Sequence, residues 1–275
     1  MNLVVTLNDL NDLEMLAKSN IYGIIINIKN LAVSANYYAD IDALKDIISK
    51  SQGKKIMVCL NKIMHEEDLP LLEKTLIELN NLNIDKVLFY DLSVIEIVKR
   101  LKLNLDLVIY QDHLNASFLS NNFYYDRGIK YSYLTSDITD EEIKEIKNNS
   151  KMKIFLTVYG YLPIFFSKRK LLTSYFDCFT KDKNDNSYYL KSDSDYYNIM
   201  EEDDGTTIYT KDKINLFGEE ILNDIDYLVI NSYKENNIKE VINLFSNNNL
   251  NHGNNSYKGF LHTKTIYKVG RNEKN

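Results

Sequence analysis

The feature that most constrains this chain is a repeated beat: a short continuous apolar run, then a segment with apolar residues at helical spacing, eight times over. The runs cover 3–7, 22–28, 55–61, 86–91, 107–111, 129–135, 153–159 and 227–231. Most are unbroken rather than alternating, the mark of strands buried on both faces. Between them, Leu10, Leu13, Leu16 and Ala17 share one helical face, as do Ile41, Leu44, Ile47 and Ile48. Leu69, Leu72, Leu76 and Leu79 repeat the pattern, with Pro70 tolerated in a first turn. Ser93 with Glu96, and Thr139 with Glu142, have capping-box spacing, and Ile238, Val241, Ile242 and Phe245 make the last stripe.

Eight such steps predict an α/β fold, a single (β/α)8 TIM-type barrel whose chemistry lies on the loops after the strands. An open doubly wound sheet is the alternative, but it usually has fewer strands at this length, and no glycine-rich phosphate loop follows the first run. The barrel is expected over 1–249, interrupted after the seventh strand by an insertion at 165–225. A connection that long is usually functional. The tail, 250–275, is expected to pack back on the barrel, because 259–269 alternates as a strand does.

Composition narrows the function. A hydrophobic fraction of 44% supplies a large core, and a net charge of −6 weighs against a broad nucleic-acid footprint while leaving room for a local basic pocket. Two cysteines, Cys59 and Cys178, cannot ligate a four-thiolate cluster, so no iron–sulfur cofactor is expected. Their sparseness fits a reducing compartment. The amino terminus lacks a basic stretch followed by an apolar core, and no run approaches the roughly 20 apolar residues that cross a bilayer. A cytoplasmic protein without membrane contact is expected.

In a barrel the strand ends gather Asn27 and Lys29, Asn61 and Lys62, Asp91, Gln111 with His113 and Asn115, Thr135 and Asp137, Tyr159, and Asn231 around one rim. Ser167, Lys168, Arg169 and Lys170 would hang over it from the seventh loop, after the backbone special Tyr159-Gly160 and Pro163. Such a ring, rich in amides and cations, suits an anionic or amide-bearing ligand, since guanidinium forks match carboxylate or phosphate and Asn and Gln pair with amides. The bland reading is that Gln111 and Asn115 satisfy loop backbone. His113 is the general acid–base candidate by type. Ser167 has cationic neighbours but no base close in sequence. His65, before Glu66, Glu67 and Asp68, reads as a helix opening rather than a metal site, so no metal is assigned. Cys59 reads as packing, and nothing around Cys178 activates it.

These segments resemble, in order, the collagenase-like U32 peptidase family, in particular its small cytoplasmic members. The likeness runs through Leu60-Asn61-Lys62-Ile63-Met64, Phe89-Tyr90-Asp91, Gln111-Asp112-His113-Leu114-Asn115 and the stretch from Asp137 to Ile143. It continues with Tyr159-Gly160-Tyr161-Leu162-Pro163, Ser167-Lys168-Arg169, Gly205-Thr206-Thr207-Ile208-Tyr209, Gly259-Phe260-Leu261 and Tyr267-Lys268-Val269. The resemblance implies a barrel and one of three functions. The first is a peptide hydrolase, with His113, Ser167 and Arg169 catalytic and Asn61, Gln111, Asn115, Tyr159 and Lys168 binding substrate. The second is a factor for hydroxylation of tRNA or rRNA bases, with residues 168–170 meeting phosphate, a reading the acidic charge disfavours. The third is a non-catalytic barrel that binds a small anionic ligand or a protein partner. Where cluster-bearing members place cysteines, this chain has Pro163 and Lys170, and Tyr159 stands where a His precedes the glycine.

Overall fold

All eight apolar runs become strands, and they close into a barrel. The computed structural model describes residues 2–111, 114–183, 187–246 and 256–263. In chain order the first half runs β1 (Asn2–Thr6), α1 (Leu13–Lys18), β2 (Gly23–Asn27), α2 (Ile41–Lys50), β3 (Lys55–Leu60), α3 (Leu69–Asn81), β4 (Lys86–Phe89) and α4 (Ser93–Arg100). It continues through β5 (Leu107–Tyr110), α5 (Phe118–Tyr125), β6 (Tyr131–Tyr133), α6 (Asp140–Asn149) and β7 (Lys153–Gly160). The insertion holds β8 (Pro163–Ser167), α7 (Leu171–Cys178), β9 (Tyr188–Ser192), β10 (Asp195–Glu202), β11 (Gly205–Tyr209) and β12 (Ile214–Asn215). The last step is β13 (Tyr227–Ile230) and α8 (Ile238–Ser246).

Strands β1 to β7 and β13 pair in parallel, and β6 pairs with β7 as well as β5, which closes the ring and rules out the open sheet. Alternation along each strand divides the core in two. Val4, Ile25, Met57, Leu88, Val108 and Phe155 fill the barrel, while their neighbours pack outward under the helices. At the amino-terminal end Lys86 is buried, its Nζ 2.7 Å from Asp85 and 4.5 Å from the centre of the Tyr131 ring, so it plugs the barrel floor.

Local signals mostly hold. Thr139 and Glu142 form the capping box of α6. His65 and Asp68 form one ahead of α3, which confirms the helix-opening reading. Ser93 does not cap α4: the carboxylate of Asp91 accepts from the Ser93 amide at 2.9 Å and takes that role. The insertion folds as an antiparallel sheet in the order β8-β11-β10-β9. Of the tail, residues 256–263 turn and pack on the barrel, with Leu261 buried and its carbonyl accepting from the Asp140 amide at 3.0 Å. The rest of the 259–269 stretch lies outside the described residues. Among the described residues no helix is long and apolar enough to cross a membrane.

Candidate functional site

The carboxyl end of the barrel is roofed rather than open. Two segments cover it: the loop after β2, through Val33, Ser34 and Ala35, and the insertion, through Leu162, Pro163 and Tyr209. Beneath them lies a cavity of about 60 Å³ with Ile25, Cys59 and Leu88 as its floor. Its walls carry Asn27, Asn61, Tyr110, Tyr133, Thr157 and Asn231. A second lobe of about 50 Å³ shares Tyr110, Tyr133, Thr157, Leu162 and Pro163 with the first and reaches Tyr257 and Phe260 of the tail.

The roof is pinned by hydrogen bonds. Glu202, on β10, accepts from the Ser34 amide at 2.8 Å and from the Tyr38 hydroxyl. Burial pushes the Glu202 carboxyl above its ordinary range, and Tyr38 is raised by burial and by the Glu202 charge. Ser34 Oγ and Thr207 Oγ1 lie 2.7 Å apart, and Tyr209 donates to the Ser34 carbonyl at 3.0 Å. Tyr209 stacks on Tyr233 with ring centres 4.3 Å apart, which seals the roof's edge. Beside it Lys62 bridges Asp68 at 3.0 Å and Asp204 at 2.9 Å. Burial works against its charge, but the two carboxylates hold its pKa above the usual lysine value.

Most of the amide ring is spent on bracing these loops. Asn61 accepts from the Val33 amide at 2.9 Å and donates to the Val33 carbonyl at 3.2 Å. Asn231 donates to the Tyr161 carbonyl and accepts from the Tyr233 amide. Thr6 and Asn8 knit β1 to Ser232. Asn27 is different: 8% exposed, it faces the cavity with no side-chain hydrogen bond among the described residues.

The sequence candidates therefore part company. Asn61 lines the cavity, whereas Gln111 lies outside it and donates weakly to the Tyr90 carbonyl at 3.4 Å. Asn115 is buried behind the rim, donating to Ser132 Oγ at 2.6 Å and to the Tyr133 carbonyl at 2.9 Å. Tyr159 points the other way. Thr157 pairs with Val229 and Tyr159 with Ile230, so β7 carries an extra residue at Val158 that reverses the alternation. The ring turns outward to Phe245 of α8, and its hydroxyl donates to Glu235 at 2.7 Å.

Ser167 sits on β8, away from the cavity, its Oγ accepting from the Arg169 amide at 3.2 Å. Lys168 donates to the Ile63 carbonyl and touches His65, and Lys170 bridges Asp203. Arg169 is exposed, with no side-chain partner among the described residues. His113 lies outside them. Sequence reasoning missed the roof residues Ser34, Leu162 and Tyr209, and the inward rings Tyr110 and Tyr133. Counting alternate positions from the strand cores would have found the rings; the roof depends on the insertion's tertiary docking.

A four-thiolate cluster does not fit this chain. Cys59 is walled into the barrel interior and Cys178 is exposed at the end of α7, and there is no third or fourth cysteine. Among the described residues no group of three His, Cys, Asp or Glu side chains is placed to hold a metal ion.

Comparison with known proteins agrees with this architecture. The family model for peptidase family U32 matches residues 9–242. The chain is 25% identical over 180 residues to the tRNA hydroxylation protein P2 of Bacillus subtilis, covering 62% of this chain and 58% of that protein. It is 28% identical over 186 residues to an uncharacterized protease of Methanocaldococcus jannaschii, 64% of this chain and 45% of that one. The tRNA hydroxylation protein P1 of Bacillus subtilis matches over 127 residues at 24% identity, 46% of this chain and 30% of that protein. The chain thus spans less than two thirds of each of these relatives. A solved structure of the U32 peptidase Mk0906 superposes with a TM-score of 0.57 at 14% identity, covering 86% of this chain and 94% of that one, which supports the shared fold. With the family model matched from the first helix to the last, this chain belongs to peptidase family U32.

Proposed function

We propose that this U32 chain serves in the modification of RNA bases, holding its ligand in the roofed barrel mouth, and does not hydrolyse peptides. The observation that carries this reading is the chemistry of the cavity. The described walls of its first lobe bear amides, hydroxyls and tyrosine rings without a carboxylate, histidine or cation, and the second lobe adds a single carboxylate, Asp137, with no histidine or cation beside it on those walls to complete an acid–base pair. Ser167, the nucleophile candidate, lies outside the cavity and has no His or carboxylate hydrogen-bonded to it among the described residues. Tyrosine faces and side-chain amides suit a nucleobase, which offers a π-face and a hydrogen-bonding edge. The printed role of two relatives, tRNA hydroxylation, supports the same direction.

In this reading Arg169 is the cation left for the RNA backbone, because Lys168 and Lys170 are engaged within the protein. Nucleoside mass spectrometry of tRNA and rRNA from a deletion strain beside its parent tests the proposal. Loss of a hydroxylated nucleoside, restored by the wild-type gene, is the expected result. An unchanged profile overturns it, and cleavage of a peptide library abolished by Ser167→Ala would establish hydrolysis instead.

A further inference from the structure

We infer that Asn27 is the residue that recognises the ligand in the barrel mouth, by pairing its amide with an edge that carries one hydrogen-bond donor beside one acceptor. The inference rests on the RNA-modification reading for its choice of a nucleobase as the bearer of that edge.

The alternation that sends Ile25 into the barrel sends Asn27 inward as well, one layer nearer the mouth. Its backbone is fixed on both sides: the Asn27 carbonyl accepts from the Ala39 amide at 2.9 Å, and the next amide, of Ile28, donates to the Cys59 carbonyl at 3.2 Å. The side chain is thus held on a rigid strand end while its amide remains unspent among the described residues. Asn61 and Asn231, its neighbours on the wall, are both consumed by loop backbone. The amide opens onto the cavity rather than being sealed in the core, so a ligand there meets a donor and an acceptor already held in place.

An asparagine amide presents an N–H donor and a C=O acceptor side by side. A planar trans peptide places its own N–H and C=O on opposite edges and can satisfy only half of that pair. A nucleobase places donor and acceptor on one edge and can satisfy both. The two lobes, about 60 and 50 Å³, adjoin, so a ring with its edge at Asn27 in the first would extend into the second. Tyr110 and Tyr133, with ring centres 4.5 Å apart, supply aromatic faces where the two lobes meet.

Saturation-transfer NMR of the full chain with each of the four ribonucleosides, and with N-methylacetamide as the single trans-peptide control, tests the assignment. At least one nucleoside is expected to bind and the control is not. Asn27→Ala should weaken that binding about tenfold or more with an unchanged melting curve. Asn27→Asp, which offers two acceptors, should shift preference toward guanosine, whose N1–H and 2-amino groups are adjacent donors. Wild-type protein that binds no nucleoside, equal binding of the control, or an Asn27→Ala variant that binds as wild type overturns the inference. An unchanged RNA profile in the deletion strain beside Asn27-dependent nucleoside binding would remove the modification role and leave Asn27 as the recognition residue. The reverse outcome would keep the role and remove Asn27.

Discussion

Glu201 offers the sharpest test of how the insertion is held together. Its side chain, 3% exposed on β10, accepts from the Leu172 and Thr173 amides at the start of α7, from the Thr173 hydroxyl at 2.6 Å, and from Lys183 at 2.6 Å. Burial alone would raise its pKa, but these donors more than offset it and bring the carboxyl down to about 2 from the ordinary 4.5. A carboxylate depressed in the fold contributes stability above its unfolded pKa and loses it as pH falls toward the folded value. The difference converts to about 3 kcal/mol, reduced to about 2 because Lys183 is partly solvated. Glu201→Gln keeps the shape and removes the charge. At pH 7 exchange of the Leu172 and Thr173 amides should accelerate about 30-fold, and the far-UV melting point should fall by about 5 °C. Roughly half of the gap between variant and wild type should have gone by pH 3, where the unfolded chain's Glu201 is protonated. A gap that stays constant between pH 7 and pH 3, or no gap at pH 7, refutes the reasoning.

The wall asparagines should divide by their bonds: in urea unfolding Asn61→Ala costs about 1–3 kcal/mol by orphaning the Val33 backbone, while Asn27→Ala stays within about 0.5 kcal/mol. Gly160→Ala should cost at least about 2 kcal/mol by thermal melting, since φ is +117° and the new Cβ would lie 2.3 Å from the Asn231 carbonyl oxygen. Glu202, raised by burial, contributes stability below its unfolded pKa and loses it as pH rises through the folded one. Protection of the Ser34 amide, corrected for intrinsic exchange, should therefore increase as pH falls from 7 to 5, and a flat profile would contradict the clasp.

The barrel was legible because strands buried on both faces leave unbroken apolar runs, a signal carried by each segment alone. Helix starts were legible where a side chain caps its own turn, as at Thr139, and failed at Ser93, which becomes the first residue of the helix with its own amide bonded to Asp91. The rim was legible as a set of positions and not as a set of orientations. One extra residue at Val158 turned Tyr159 from the mouth to the outer layer, and nothing in the local sequence announces that bulge. Asn27 and Asn61 look alike at their strand ends. What separates them is the Val33 backbone, brought to Asn61 by a loop whose path the insertion fixes. The antiparallel sheet of the insertion went unread because its strands are rich in Tyr, Asp, Lys and Asn, which mask strand periodicity.

The position of that sheet, between the last two strands of the ring, bears on how the chain folds. Strands β7 and β13, which pair from Phe155 with Tyr227 to Tyr159 with Ile230, are separated by the whole insertion, and that would make ring closure slow if the insertion stayed open. Its own hairpins join near neighbours, Asp195 with Ser192 and Glu202 with Gly205. Its two ends are also tied, with the Thr210 amide donating to the Leu162 carbonyl and the Leu162 amide to Thr210 Oγ1. We expect the insertion to collapse first and so shorten the remaining search to the 16 residues, 211–226, between Thr210 and β13. Pulse-labelled exchange in which β10 amides gain protection only after those of β13 would contradict that order. The roof, on this view, is also the scaffold on which the ring is closed.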